Sequence, residues 1–180
     1  MHDHPFGRRA LLRSSVLLIP GVAEALQHAH ESVQAPAARL EYLNAADAAE
    51  IEAMAGEIIP SGDSPGAKEA GAIYFIDRAL KTFDADKRAL YREGLAEARR
   101  KLPAGAASVA ALTSAQRIAL LQSMEKTPFF TALREHTIIS FLADPKWGGN
   151  RGKAGWKLIG FEDKFEFQPP FGFYDAEAAK

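Results

Sequence analysis

The sequence predicts an all-α fold: a bundle of about five amphipathic helices, then a loop rich in glycine and tryptophan, then an irregular aromatic tail. Three observations lead to this prediction. Apolar residues recur at three- and four-residue spacing, helix start signals precede these stripes, and no stretch alternates as a half-buried strand would. The chain has 180 residues, of which 47% are hydrophobic and 25% are charged, so one core can form.

Each predicted helix begins at a residue whose side chain can cap free backbone N–H groups, or at proline in the first turn. In chain order, the predicted starts are Asn44, Ser64 before Pro65, Asp84, Thr113 with Gln116, and Thr127 before Pro128. The stripes predicted to be buried include Ile51 and Ala55, then Ile73, Ile76, Leu80 and Phe83, then Tyr91, Leu95 and Ala98, then Ile118 and Leu121, then Leu133, Thr137 and Phe141.

The composition excludes several kinds of chemistry. The chain has no cysteine, so it forms no disulfide, no thiolate-bound iron–sulfur cluster and no covalent c-type haem link. Its formal net charge is −1, which does not favour nucleic acid as a partner.

The first segment is typical of an export signal. Arg8 and Arg9, followed by Leu11 and Leu12, match the twin-arginine pattern. The apolar stretch at 16–23 is too short to span a bilayer and fits the core of a signal. We therefore interpret residues 1–35 as a twin-arginine signal and linker, which implies contact with the twin-arginine translocase and a periplasmic location. A basic N-terminus without an export role is the alternative.

The segment 144–160 contains five of the 14 glycines and both tryptophans. Glycine at this density argues against a stable helix, and tryptophan and arginine are common in protein interfaces. A phosphate loop is excluded, because Trp147 and Ala154 stand where glycine and a hydroxyl residue are needed. We predict a partner interface, with the alternative that the loop closes the chain's own core; one tryptophan can serve each role. The predicted interface residues are Trp147, Gly148, Gly149, Asn150, Arg151, Gly155, Trp156 and Lys157.

Residues 162–180 are predicted to form an extended tail that adds Phe171 and Phe173 to this interface. Exposed aromatic residues at such density are unfavourable in a free monomer, so docking on a neighbour or on the chain's own bundle is expected.

Three further groups are interpreted as structural. His136 borders an apolar stripe and is expected to be a hydrogen-bonded packing residue rather than a general base. Glu50, Glu52 and Glu57 are interpreted as a solvated helix face. Asp77 and Arg78 are interpreted as an internal ion pair that orders the loop after the first helix.

The chain resembles the gluconate 2-dehydrogenase subunit 3 family over residues 40–161. The most specific matching segments are 144–151 (DPKWGGNR) and 155–160 (GWKLIG), supported by 58–60, 63–67, Gly71, 76–80 and 134–137. The resemblance implies a helical subunit domain at 36–161 without a catalytic, cofactor or metal site of its own.

The resemblance also implies a large partner subunit that contains FAD and oxidises a sugar or sugar acid. It further implies a membrane-associated complex, in which a third subunit with c-type haem usually passes electrons onward. In this interpretation the chain assists folding and twin-arginine export of the catalytic subunit. The alternative is an independent periplasmic sugar-binding module or enzyme.

Overall fold

A computed structural model of the chain describes residues 39–164 and residue 166. This part contains six α-helices and no strand, which confirms the predicted all-α class. The helices are α1 (Ala45–Ile58), α2 (Ala72–Lys81), α3 (Arg88–Arg100), α4 (Ser114–Met124), α5 (Pro128–Leu142) and α6 (Ala154–Leu158). Single 3₁₀ turns lie at Ala85–Lys87, Val109–Ala111, Pro145–Trp147 and Arg151–Lys153. The signal residues Arg8, Arg9, Leu11 and Leu12 and the tail residues Phe171 and Phe173 lie outside the described residues.

The predicted capping residues begin three of the helices. The Asn44 side chain accepts the backbone N–H of Asp47 at 2.9 Å, and Thr127 does the same for α5. Thr113 and Gln116 form a reciprocal capping box at the start of α4, with bonds of 3.3 and 2.9 Å. Each bond satisfies a backbone donor that has no partner within its own helix.

The second helix begins later than predicted. Ser64 and Pro65 do not start it; the chain instead forms turns back to the end of α1, where Ala67 donates its N–H to the Ile59 carbonyl at 2.8 Å. Gly71 then adopts a left-handed φ of 70° and becomes the N-cap of α2. The Ser-Pro signal was misleading because this tertiary contact holds the segment in a turn.

Helix α5 lies at the centre of the fold and packs against each of the other five helices. Its inner face contains Leu133, Thr137 and Ser140, all of them fully buried. The two hydroxyl groups donate to carbonyl oxygens within α5, at 2.7 Å each, so burial leaves neither without a partner. The core is therefore organised around one helix rather than around a pair of layers.

Two residues predicted to be buried are exposed. Phe83 lies beyond the last residue of α2 and is 56% exposed, because the chain changes direction after Lys81. Ile118 faces outward from α4, whose buried side is formed by Leu120, Leu121 and Met124.

The interpretation of Glu50 and Glu57 as a solvated face is wrong. Glu50 is buried and accepts a hydrogen bond from Arg99 of α3 at 2.9 Å. Glu57 accepts bonds from Arg117 at 2.7 Å and from Ser114 at 2.8 Å, both at the start of α4. The cationic partners are distant in sequence, so the pattern of α1 alone gives no sign of them.

The predicted pairing of Asp77 with Arg78 is also wrong. The Asp77 carboxylate is buried and accepts three backbone N–H groups, from Glu41 at 2.6 Å, Tyr42 at 3.0 Å and Leu43 at 2.6 Å. Arg78 instead pairs with the Glu41 carboxylate at 3.3 Å. The segment that these residues order precedes α1 rather than following it.

Candidate functional site

The segment after α5 runs along α2 in a fixed conformation. Asp144 begins the turn at Pro145–Trp147 by accepting the backbone N–H of Lys146 at 2.9 Å. Arg78 of α2 donates to the carbonyl of Lys146 at 2.9 Å. The N–H of Arg151 donates to the carbonyl of Ala70, just before α2, at 3.0 Å. The segment is therefore bonded both to α2 and to the turn that precedes it.

Glycines in this segment permit close backbone packing. A Cβ atom at Gly149 would lie 2.3 Å from the Ser140 carbonyl oxygen, and one at Gly155 would lie 1.8 Å from that of Phe141. Gly148 has a φ of 103°, a backbone conformation that residues other than glycine rarely adopt. Gly149 and Gly155 bring the loop onto α5. The short helix α6 forms despite the glycine content, which corrects the expectation of a helix-free segment.

Asn150 holds the loop from inside. It is fully buried, its amide nitrogen donates to the Ala143 carbonyl at 2.8 Å, and its amide oxygen accepts the N–H of Gly155 at 2.8 Å. Its φ of 46° is in the left-handed region, which asparagine tolerates better than most residues. One side chain thus joins the end of α5 to the start of α6.

The two tryptophans have different environments. The half-buried Trp156 donates its indole N–H to the Leu142 carbonyl at 2.7 Å and contacts the Phe161 ring at 5.0 Å between centroids. Trp147 is 42% exposed; it meets the edge of the Phe83 ring at 6.2 Å between centroids, and the Lys146 ammonium lies 5.8 Å from its own ring centroid. The structure therefore places one indole in the loop's own packing and the other at the surface.

Arg151 is held over Tyr74 with its guanidinium carbon 3.9 Å from the ring centroid. Its Nε is buried and forms no hydrogen bond with any described residue. Gly71 makes this position possible, because a Cβ atom there would lie 2.6 Å from the Cδ of Arg151. The side chain is half-buried, and no described carboxylate pairs with it.

The predicted interface residues therefore divide into two groups. Those that are buried and shape the loop itself are Gly148, Gly149, Asn150 and Gly155. Those with surface available to a partner are Trp147, Arg151, Trp156 and Lys157. The structure adds Phe83, which the periodic pattern had assigned to the core; its position beyond the end of α2 was the missing information.

His136 belongs to a buried hydrogen-bonded chain. It is 2% exposed, with Nδ1 2.8 Å from the Tyr91 hydroxyl and Nε2 2.9 Å from the Asp84 carboxylate. Burial lowers the pKa of His136, although Asp84 opposes the shift. A neutral ring that donates from Nε2 to Asp84 and accepts from the Tyr91 hydroxyl satisfies all three groups. The prediction of a hydrogen-bonded packing residue is confirmed.

Two surface clefts among the described residues lie away from the residues just described. One, of about 330 Å³, is lined by Glu52, Glu57, Ser61, Lys68 and Arg117 with small apolar residues of α1. The other, of about 250 Å³, lies between the end of α1 and helices α4 and α5. Within residues 39–164 and residue 166, no group of three or more acidic or histidine side chains is placed to bind a metal ion. No helix in this part combines the length and the hydrophobicity that a membrane span requires.

These observations define a small helical body, and its most distinctive surface is the loop at 144–160. The family model for gluconate 2-dehydrogenase subunit 3 matches residues 45–163. The chain belongs to the gluconate 2-dehydrogenase subunit 3 family, which describes a small subunit of a dehydrogenase complex. Comparison with curated proteins and with solved structures yields no significant match.

Proposed function

We propose that the chain is the non-catalytic small subunit of a periplasmic FAD-dependent gluconate or related sugar dehydrogenase complex. It binds the FAD-carrying catalytic subunit and assists its folding and its export through the twin-arginine route. The single observation on which the proposal depends is the family match over residues 45–163, because it makes the chain one subunit of a dehydrogenase.

The properties of the described residues support a structural role. His136, the histidine of the helical body, has both ring nitrogens in hydrogen bonds and almost no exposed surface. A general base must reach the proton that it removes, and this ring is almost fully buried and lines neither of the two clefts described above. In the larger cleft, Glu57 and Arg117 bond to each other, which uses part of the polar surface that a sugar would need.

Export of the two subunits as one bound complex explains why a signal would reside on a subunit without a cofactor. A flavoprotein must fold around FAD before it crosses the membrane, so a bound partner can provide the export signal for both proteins. The pattern of Arg8 and Arg9 before an apolar stretch supports this part of the proposal. FAD is expected in the catalytic subunit and c-type haem, where present, in a third subunit that attaches the complex to the membrane.

The proposal is tested by expressing the chain together with its catalytic subunit and measuring FAD-containing protein in the periplasm. Lysine at positions 8 and 9 (Arg8→Lys with Arg9→Lys) should abolish export of both proteins, whereas Arg13→Lys serves as the matched control and should leave export intact. Normal export of the catalytic subunit with the double variant would refute the escort role. Saturable binding of gluconate by the isolated chain would favour an independent sugar-binding module instead.

A further inference from the structure

The feature that the fold leaves unexplained is the guanidinium of Arg151. Its Nε is the one buried side-chain nitrogen or oxygen without a hydrogen bond among the described residues. Leaving a buried donor unsatisfied is unfavourable, so such groups in native proteins call for an explanation. The terminal nitrogens of Arg151 also have no described partner, yet they are not buried, so they remain accessible from solvent.

Four other arginines of the body, unlike Arg151, satisfy their guanidinium groups internally. Arg99 pairs with Glu50, Arg117 pairs with Glu57, and Arg88 donates to the Leu80 carbonyl at 2.7 Å. Arg78 donates to the Lys146 carbonyl. Arg151 differs because it is held in place, by stacking on Tyr74 and by its own backbone N–H, while its charge has no counterpart in this part of the chain.

A guanidinium fixed by stacking presents its terminal N–H groups in a set direction. Arginine binds carboxylates with two parallel hydrogen bonds, and a side chain that is already ordered loses less entropy on binding. The charge therefore fits an acidic side chain of a partner better than an apolar one. The buried loop residues Gly149 and Asn150 keep the backbone of this segment rigid.

Trp147 lies four residues earlier on the same rigid segment. It is exposed against Phe83 near the end of α2, whereas Arg151 stacks near the start of that helix. A helix of ten residues spans about 15 Å, so one interface of standard size covers both ends. Tryptophan and arginine are the residue types most often found to dominate binding at such interfaces.

We infer that Arg151 and Trp147 form the recognition pair for the FAD-carrying subunit: Arg151 binds a carboxylate side chain of that subunit, and Trp147 enters an apolar pocket beside it. The inference depends on the proposed function for the identity of the partner. The geometry of the loop identifies which surface of this chain binds, and the unpaired charge of Arg151 indicates that the partner contributes an acidic side chain.

The test measures the affinity of the full chain for its FAD-loaded catalytic subunit. Arg151→Gln is expected to weaken binding about 30-fold or more, because it removes one member of a desolvated charge pair. Trp147→Ala is expected to weaken it at least about tenfold. Arg134→Gln, which removes an exposed arginine on another face of the bundle, is the matched control and should change the affinity less than about twofold.

Two further measurements separate recognition from folding. The affinity of the wild-type chain should fall as salt increases, and Arg151→Gln should flatten this dependence, an effect that loss of packing alone does not produce. Arg151→Lys, which retains the charge but not the paired N–H groups, should fall between the wild type and Arg151→Gln.

Several outcomes would overturn the inference. They are an Arg151→Gln affinity within threefold of wild type, an unchanged salt dependence, or gluconate binding by the chain that disappears in Arg151→Gln. If the wild-type chain binds and Arg151→Gln and Trp147→Ala bind equally well, the assignment of this surface is wrong and the proposed function stands. If the wild-type chain does not bind the flavoprotein at all, the proposed function fails as well.

Discussion

Removal of the Asp77 carboxylate should detach the segment before α1 from the helical core. The carboxylate accepts three backbone N–H groups, two of them at 2.6 Å. Hydrogen bonds to a charged group contribute roughly 1.5–3 kcal/mol each, and bonds that share one acceptor add to less than their sum. We therefore expect Asp77→Ala to lower the free energy of unfolding by about 4 kcal/mol. Small domains have about 5–15 kcal/mol in total, so this loss is severe.

Asp77→Asn is the more discriminating change. The amide retains one oxygen, which can still accept the N–H groups of Tyr42 and Leu43, but its NH₂ group faces the N–H of Glu41. A loss of about 2 kcal/mol is expected, equivalent to about a 30-fold rise in the unfolded fraction. Urea unfolding followed by circular dichroism measures both variants, with the exposed Asp63→Asn as the matched control.

Amide hydrogen exchange at residues 41–43 provides the local measurement. Protection of these three amides should be lost in Asp77→Ala even under conditions where the helices remain folded. If Asp77→Ala and Asp63→Asn unfold at the same urea concentration, the carboxylate does not stabilise the fold and the reasoning from these three bonds is wrong.

Three further predictions follow from packing, titration and exposure. Gly155→Ala should lower the free energy of unfolding by at least about 2 kcal/mol, because its Cβ would lie 1.8 Å from a backbone oxygen of α5. Gly56→Ala, whose Cβ would meet open space on α1, should instead raise it by about 0.5–1 kcal/mol, and urea unfolding compares the two variants. Burial lowers the pKa of His136, so the neutral form is favoured in the folded state, and stability should fall as pH drops below the unfolded value near 6.5. His136→Gln should reduce that slope between pH 7 and pH 5, and an unchanged slope would contradict the assignment. Acrylamide should quench the fluorescence of Trp147 more strongly than that of Trp156. In Trp147→Phe the remaining fluorescence comes from Trp156, so acrylamide should quench it less than it quenches the wild type.

The helices whose starts depend on local chemistry could be predicted from the sequence. The caps at Asn44, Thr113 and Thr127 involve residues within three positions of each other, so the sequence alone contains both partners of each bond. The start of α2 at Gly71 could not be predicted in this way. It depends on a contact between Ala67 and the end of α1, which exists only after the chain has folded back.

The glycine- and tryptophan-rich segment shows the same division at the candidate site. Its composition identified it as unusual, and that is a property of the sequence. Whether a given residue faces inward or outward depends on which atoms of α2 and α5 lie opposite. Asn150 and Gly155 meet backbone groups at the end of α5 and are buried, whereas Trp147 contacts the Phe83 and Lys146 side chains and remains exposed.

The sequence by itself determined the all-α class, three of the six helix starts, the family and the segment of interest, because each depends on residue types at short spacing. Tertiary structure alone decided that Glu50 and Asp77 are buried acceptors, that Phe83 is at the surface, and that Arg151 has no counter-charge among the described residues. The physical reason is that a charged or aromatic side chain takes its environment from groups brought to it across the fold. Those groups are tens of residues away in the chain, where no local pattern records them.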